Sequence, residues 1–301
     1  MSTVRLGSVA YASEINPPMA LPMRKLWLTV NSHSGSFDAT LPERVSHLAD
    51  QFGWVLDRVV DVADSELPTP AELNAAGVDW VANHTGDGTL NSLARELQGW
   101  DGAVLALPGG TMNFVSRNLH GETLDSEEIV RRAMSADVTL TKLPVVRLDN
   151  MVSFCGVIAG PTASWSDVRE ALRERDLAAV VEYSQNALEQ TLHGERPEVV
   201  DGANELLEDD TPSVFVEPYP DGVHVTSFAA QTLGDLARHG VAWLMKDFRN
   251  GPHEDLGVRQ CVEVRAPSHG VSLLVDGERV EGDATVRMTA DTFDLNFVKT
   301  I

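Results

Sequence analysis

A short unit that occurs three times in the first half of the chain constrains the fold most strongly. In each copy an apolar run leads into a loop of small polar residues and then into a segment with helical spacing. The runs are KLWLTV at 25–30, VDWVAN at 78–83 and AVLAL at 103–107. Short apolar strands that alternate with amphipathic helices are typical of a mostly parallel sheet covered on both faces. Because such sheets bind ligands beyond the carboxyl ends of their strands, the three loops mark the expected site.

The segments after the three loops repeat their apolar residues at intervals of three and four, as amphipathic helices do. The repeating positions are Leu41, Val45, Leu48 and Phe52 in the first segment, Leu90, Leu93, Ala94 and Leu97 in the second, and Val115 and Leu119 in the third. Thr40 and Glu43 have the spacing of a capping box, so we expect a capping box at the start of the first helix.

From about residue 143 the pattern changes to one of antiparallel strands. SVFVEPYPDGVHVTSF at 213–228 alternates apolar residues around a Pro-Asp-Gly turn, which predicts a hairpin. GVSLLVDGERVEG at 270–282 repeats the pattern around Asp276-Gly277. Helical stretches are expected at roughly 165–195 and 231–248. We expect this half to form an antiparallel β-sandwich.

The predicted organisation has three parts. Residues 1–24 are interrupted by prolines and lack the apolar stretch of a signal peptide, so we expect a flexible leader. Residues 25–145 form the α/β nucleotide-binding domain. Residues 146–301 form a β-sandwich substrate domain with a helical insertion.

Composition excludes several classes of protein. The 301 residues include 23 basic and 45 acidic ones, a formal net charge of −22, which argues against a nucleic-acid partner and permits at most transient contact with a membrane surface. Cys155 and Cys261 are far apart, which excludes a disulfide framework and a zinc site. No apolar run approaches the ~18 residues of a spanning helix. We expect a soluble cytoplasmic protein.

The central loop, HTGDGTLN at 84–91, places Asp87 between two glycines. The chain contains neither a Walker P-loop nor the complete dinucleotide fingerprint. Phosphate would therefore be bound by backbone N–H groups at helix N-termini and by the hydroxyls of Ser34, Thr89 and Thr111. Asp87 would then either bind Mg²⁺ beside the phosphates or accept a proton from an attacking hydroxyl. The alternative is a plain strand-to-helix turn with Thr89 as the N-cap.

The trio NSHSGS, TGDGT and LPGGTMNFVSRNLHG resembles the diacylglycerol kinase catalytic family, which includes sphingosine kinases and bacterial lipid kinases. PDGVHV and VDGERV resemble, more loosely, two C-terminal segments of that family. The resemblance spans roughly residues 25 to 297. It implies an α/β nucleotide domain followed by a β-sandwich, in agreement with the pattern of strands and helices.

The resemblance also implies roles for individual residues, with ATP and Mg²⁺ as cofactors. Glu278 is similar in position to the general base, and Asp221, with the backbone of Pro218 and Val223, to a structural Mg²⁺ site. Desolvation is expected to raise the pKa of Glu278. The implied ATP-binding residues are Asn31, Ser34, Gly35, Thr85, Gly86, Asp87, Gly88, Thr89, Leu90, Asn91, Gly110, Thr111 and Asn113.

The expected function is transfer of the γ-phosphate of ATP to a hydroxyl of a lipid such as diacylglycerol or a long-chain base. The substrate partner is thus a lipid or another small molecule, and relatives suggest a homodimer. Thr85 stands where the family has a glycine, which adds a Cβ near the phosphates. Two alternatives stay open: a non-catalytic nucleotide- or phospholipid-binding protein of the same fold, which Thr85 favours, and an NAD kinase, whose superfamily shares the Gly-Asp-Gly segment.

Overall fold

The computed structural model describes residues 23–122, 124–135, 138–164, 194–209, 211–228, 253–268 and 270–301, with the single positions 183, 186 and 189. The leader expected over 1–24 and the helices expected at 165–195 and 231–248 lie wholly or largely outside these residues. The three loops and both predicted hairpins lie within them.

The first sheet has six strands. They are β1 (Arg24–Val30), β2 (Trp54–Asp61), β3 (Trp80–Thr85), β4 (Ala103–Pro108), β5 (Thr139–Thr141) and β18 (Asn296–Lys299). Their order across the sheet is β2-β1-β3-β4-β18-β5, and every pair is parallel except β18 with β5. The predicted mostly parallel sheet is confirmed. The strands β1, β3 and β4 are direct neighbours, so the three loops that follow them share one edge.

Helices cover both faces of this sheet. They are α1 (Leu41–Gln51), α2 (Pro70–Ala76), α3 (Asp87–Glu96), α4 (Phe114–His120) and α5 (Ser126–Ser135). Apolar residues of α1 and α5, such as Val45 and Ile129, pack on one face of the sheet. Those of α2, α3 and α4, such as Leu73, Leu93 and Leu119, pack on the other.

The second half forms two antiparallel sheets with a shared core of mostly valine side chains. One sheet, in the order β10-β9-β14-β17-β6-β7, contains β6 (Pro144–Leu148), β7 (Met151–Ser153), β9 (Glu198–Asp201), β10 (Leu206–Glu208), β14 (Cys261–Arg265) and β17 (Thr285–Thr292). The other, in the order β13-β12-β11-β8-β15-β16, contains β8 (Val157–Ala159), β11 (Val214–Tyr219), β12 (Gly222–Phe228), β13 (His253–Arg259), β15 (Ser272–Val275) and β16 (Glu278–Glu281). The predicted antiparallel architecture is confirmed, as are the hairpins β11–β12 and β15–β16.

The two halves share apolar packing. Phe154, in the loop after β7, lies with its ring edge-on to Phe293 and Phe297, with centroids 4.9 and 5.9 Å away. All three rings belong to the cluster that includes the inner faces of α3 and α4. The loop that leaves the sandwich is therefore anchored beside α3. Among the described residues, no helix combines the length and the apolar composition needed to cross a membrane.

The capping box predicted for α1 is wrong. Thr40 makes no side-chain capping bond; its N–H and hydroxyl donate to Asp38 Oδ1 at 2.9 and 2.7 Å. A capping box does occur before α2, where Thr69 N–H donates to Glu72 Oε2 at 2.9 Å and Glu72 N–H to Thr69 Oγ1 at 3.3 Å. Sequence analysis missed α2 because a helix of seven residues is too short to show apolar periodicity.

Candidate active site

The second and third loops touch backbone to backbone. A Cβ placed on Gly110 would lie 2.6 Å from the Cα of Gly86, and one on Gly109 would lie 2.4 Å from the carbonyl carbon of His84. Real Cβ atoms do not approach other atoms so closely, so only glycine fits at both positions. The glycines therefore bring two loops together and leave their backbone groups accessible at the sheet edge.

Asn113 fixes the shape of the third loop. Its backbone is left-handed, with a φ of 52°, and its side chain bonds Gly110 twice. The Oδ1 atom accepts from Gly110 N–H at 2.7 Å, and Nδ2 donates to Gly110 O at 2.9 Å. The predicted role of Asn113 in ATP binding stays a prediction; the structure shows that Asn113 closes the loop before α4.

The first loop joins the other two through Ser36, whose hydroxyl donates to Gly109 O. Ser34 lies one step further out, with its Oγ 2.8 Å from Ser36 Oγ. Asn31 folds the loop by accepting His33 N–H at 3.0 Å. A Cβ on Gly35 would meet no atom within 4 Å, so this position is open. The three predicted loops are thus brought together.

Thr85 turns its side chain inward. The residue is 3% exposed, and its hydroxyl lies within hydrogen-bonding distance of the Asn83 side chain, with 2.9 Å to Nδ2. Asn83 Oδ1 in turn accepts from Thr29 Oγ1 at 2.7 Å. The hydroxyl of Thr85 therefore belongs to a buried network under the loop.

Asp87 is the first residue of α3, and Gly86 is the N-cap. The interpretation of Thr89 as N-cap is therefore wrong. The first intrahelical bond runs from Leu90 N–H to Gly86 O at 3.0 Å, so the N–H groups of Asp87, Gly88 and Thr89 precede it. These N–H groups form the kind of helix start that binds phosphate.

The Asp87 carboxylate lies in a largely desolvated place. Burial raises its pKa, and nearby Asp276 acts in the same direction. The N–H groups of Phe114, Val115 and Asn113, at the start of α4, favour the ionised form and oppose this shift. The carboxylate thus lies between the starts of two helices.

Glu278 lies over the central loop although it is far away in sequence. Its Oε1 is 3.1 Å from the position that a Cβ on Gly88 would occupy. The side chain is exposed, so the expected desolvation of Glu278 is not found. Glu278 and Gly88 border a small cavity of about 50 Å³, together with Arg95 and the apolar residues Met151, Val152, Val275 and Val280.

The remaining predicted ATP-binding residues fall into two groups. Leu90 is buried in the core, so only its backbone faces the loop, and Asn91 directs its amide toward Val152 O at 3.0 Å and toward Asp276. Thr89 is half-buried and Thr111 is exposed at the edge.

The predicted second metal site lies elsewhere, at the β11–β12 turn. Asp221 is exposed, and its carbonyl accepts Gln260 Nε2 at 2.7 Å. Pro218 and Val223 are register partners in the hairpin. Nowhere in the described ranges do three acidic, histidine or cysteine side chains come close enough to hold a metal ion alone. A cation near Asp87 would therefore need further ligands such as phosphate oxygens or water.

Sequence analysis missed several residues that shape the site. Asp61, at the end of β2, accepts Ser32 N–H at 3.1 Å and so supports the first loop. Its pKa is lowered mainly by hydrogen bonding to Ser32. Asp276, in the turn before Glu278, accepts four hydrogen bonds. The sequence showed the Asp276-Gly277 pair as a turn signal and as part of VDGERV, and neither gives information on what the Asp276 side chain contacts.

An α/β domain with glycine-containing loops at adjacent strand ends, joined to antiparallel sheets, defines the fold shared by diacylglycerol kinases and NAD kinases. Within that class, residues 25–145 match the family model of the diacylglycerol kinase catalytic domain. The resemblance to that family is thus confirmed over these residues. The match indicates a kinase, that is, a phosphotransferase.

Solved structures support the same fold. A diacylglycerol kinase from Bacillus anthracis str. Sterne matches with a TM-score of 0.60 and 13% identity, over 92% of this chain and 97% of that one. Yeast NADH kinase complexed with NADH matches with a TM-score of 0.51 and 12% identity, over 95% and 88%. At these identities the similarity establishes the fold alone. No curated protein sequence shows significant similarity to the chain.

Proposed function

We propose that this protein is an ATP- and Mg²⁺-dependent kinase that transfers the γ-phosphate to a hydroxyl of a lipid of the diacylglycerol or long-chain-base type. One observation carries the proposal: Glu278, from the sandwich, lies over Gly88 in the loop that begins α3. A carboxylate and a row of helix-start N–H groups thus face the same space, as transfer of phosphate to an alcohol requires.

In the proposed reaction the Glu278 carboxylate accepts the proton of the acceptor hydroxyl. The hydroxyl oxygen forms a bond to the γ-phosphorus, the bond from that phosphorus to the bridging oxygen breaks, and ADP leaves. The N–H groups of Gly88 and Thr89 and the Thr111 hydroxyl would bind the phosphates. Asp87 would hold Mg²⁺ together with phosphate oxygens, and the ion would neutralise charge on the transferred group.

One feature favours an alcohol with an apolar body as the acceptor. Glu278 is bordered by apolar side chains of β7, β15 and β16, whereas the nucleotide loops lie on the side of Gly88. An acceptor hydroxyl held at Glu278 would therefore have apolar surface beside it. At this location Arg95 is the basic side chain that borders the cavity. A second Mg²⁺ at Asp221, with the backbone of Pro218 and Val223, remains part of the proposal as a structural ion.

The same proposal includes a cytoplasmic location, transient contact with a membrane surface and a homodimer. The net charge of −22 opposes stable residence on an anionic membrane. The acceptor would therefore be reached by brief contact.

Thr85, which favoured a non-catalytic protein at the sequence level, directs its hydroxyl into the Asn83 network, so this objection loses its force.

The test is ATP turnover with diacylglycerol or a long-chain base in mixed micelles. Glu278→Gln is expected to lower kcat by about 100-fold to 10,000-fold, the contribution typical of a general base. Glu281→Gln makes the same chemical change on the same strand and is expected to leave kcat within about twofold, because Glu281 bonds Ser272 and Arg279, away from Gly88.

The outcomes separate the alternatives. Binding of ATP·Mg²⁺ by calorimetry without turnover on any hydroxyl would show a non-catalytic protein. Turnover on NAD⁺ but not on lipid would show an NAD kinase. Equal activity of wild type and Glu278→Gln would remove Glu278 as the base.

A further inference from the structure

The turn between β15 and β16 has a forced shape. Val275 pairs with Glu278, so Asp276 and Gly277 form a two-residue turn with φ values of 49° and 92°. Aspartate tolerates this left-handed conformation better than most residues. Glu278 begins β16 directly after the turn, so any rotation of the turn moves its side chain.

The Asp276 side chain ties this turn to two other parts of the molecule. One oxygen, Oδ2, accepts from the Asn91 amide on α3 and from Phe154 N–H at 3.0 Å. The other, Oδ1, accepts from the Ser153 hydroxyl and from Cys155 N–H at 2.9 Å. Both oxygens are therefore occupied by donors, one from α3, one from the last residue of β7 and two from the loop after β7.

These bonds are formed in an enclosed place. Burial raises the pKa of Asp276, while the hydrogen bonds from Ser153, Phe154, Cys155 and Asn91 favour the ionised carboxylate. A carboxylate that accepts bonds at both oxygens has little capacity left to take a proton from a substrate. Its geometric effect instead reaches Glu278, two residues further along the chain.

We propose that Asp276 is a positioning residue: its carboxylate fastens the β15–β16 turn to α3 and to the loop after β7, and thereby holds Glu278 over Gly88. The inference rests on the proposed function, in which Glu278 acts on the acceptor hydroxyl. Asp276 itself does not touch the reacting atoms. It couples the sandwich to the helix that begins at the phosphate-binding loop.

Asparagine at position 276 would break this fastening while keeping size and turn preference. An amide has one acceptor oxygen, and its NH₂ group would face N–H and O–H donors. At least two of the four donors would lose their partner. Asp276→Asn is expected to lower kcat by about 100-fold, the cost of a displacement of about 1 Å at a reacting group. The KM for ATP is expected to stay within about threefold, because Asn91 keeps its hydrogen bond to Val152 O and the substitution lies outside the three loops.

The matched control is Asp149→Asn. Asp149 is also an aspartate with a left-handed backbone, φ 37°, in a two-residue hairpin turn, between β6 and β7, but it is exposed. The Asp149→Asn variant is expected to leave kcat unchanged. A double variant, Asp276→Asn with Glu278→Gln, is expected to lose no more activity than Glu278→Gln alone, because both changes act on one group. Full additivity of the two losses would overturn the proposal.

Hydrogen exchange provides a readout that needs no substrate. In Asp276→Asn the amides of Phe154, Cys155 and Glu278 are expected to exchange faster than in wild type, whereas those of Asp149→Asn are not. If exchange in Asp276→Asn is unchanged, Asp276 does not fasten the turn. If exchange is faster but kcat is unchanged, Asp276 does not position Glu278. A wild-type protein without phosphotransfer would instead overturn the proposed function, and the exchange experiment would still test the fastening.

A milder variant keeps the test open if Asp276→Asn does not fold. Ser153→Ala removes one of the four donors and leaves three. It is expected to lower kcat by about tenfold at unchanged KM for ATP, in line with one hydrogen bond to a charged group. Wild-type kcat in a folded Ser153→Ala protein with faster exchange at Glu278 would contradict the proposal.

Discussion

Asp87 begins α3, and its carboxylate faces the first N–H groups of α4. This location explains how an acidic residue is accommodated in a loop that we propose binds phosphate. The start of α4 supplies positive partial charge to the carboxylate, while the start of α3 stays directed toward the edge of the sheet. The residue therefore stabilises the third loop and remains close to the expected phosphates.

We expect Asp87→Asn to fold and to lose turnover by about 100-fold, because an amide can still accept N–H groups of α4 but carries no charge for the cation. The check is kcat with saturating lipid and ATP, beside a thermal melt. An active Asp87→Asn protein would contradict the role of Asp87.

The Asp87 carboxyl makes the stability of the wild-type protein depend on pH, and Asp87→Asn removes this dependence. Burial raises the pKa of Asp87 in the folded state, so its contribution to stability is fully present below the unfolded-state pKa and is lost as the pH rises through the folded-state pKa. The stability of Asp87→Asn relative to wild type should therefore be greater at pH 7 than at pH 4, as urea unfolding at the two values would show.

For single residues, the sequence predicted the location in the loops but not the direction of the side chains. Thr85 was counted as an obstacle to phosphate because a single sequence does not show that its hydroxyl reaches Asn83 below the loop. Asp276 was missed for the same reason, since its partners Asn91 and Ser153 are more than a hundred positions away. Turn chemistry is local and readable; long-range side-chain bonds are not.

Among the elements, the pair of loops after β3 and β4 behaves as one unit because two glycines let their backbones meet. Gly110 against Gly86 leaves no room for a methyl group. The loops were each predicted from turn residues, and their adjacency follows from the strand order β1-β3-β4. Two features could not be predicted: the left-handed backbone of Asn113, and the hydrogen bond from the Ser36 hydroxyl that joins the first loop to Gly109 in the third.

Gly110→Ala is expected to destabilise the protein by about 1–3 kcal/mol, because the methyl group would push the Gly86 backbone away. Gly35→Ala is the matched control, since a Cβ there meets no atom within 4 Å. Chemical denaturation of both variants measures the difference. Equal stability of the two would show that the loops separate at little cost.

In the molecule as a whole, β18 lies between β4 and β5 of the first sheet. The buried His120 on α4 is attached to this part of the chain, with its Nδ1 3.0 Å from Thr300 Oγ1. Burial lowers the pKa of His120 to about 4.

We expect His120 to make the free energy of unfolding fall at acidic pH. Below a pH of about 6.5 the unfolded chain takes up a proton that the folded protein accepts only near pH 4, so stability is lost as the pH falls through this window. The loss amounts to at most ~3.5 kcal/mol. His120→Gln should flatten the dependence of unfolding free energy on pH between 6.5 and 4. His47→Gln, at an exposed histidine on α1, should leave the slope as in wild type.

The architecture of the whole was largely readable from the alternation of strands and helices, and the antiparallel half from its hairpins. The return of residues 296–299 to the first sheet was not, because a four-residue apolar strand fits either half by pattern alone. They lie within the range assigned to the sandwich domain, yet pair with β4 and β5.

Because residues 296–299 complete the first sheet, residues 25–145, which match the family model, do not contain the whole sheet. A piece cut at residue 145 would leave β4 and β5 without the strand between them and would uncover the surface now closed by Phe293 and Phe297. Ribosomal synthesis must therefore reach residues 296–299 before the first sheet can close. Until then the unpaired flank of β4 is open to association with other nascent chains.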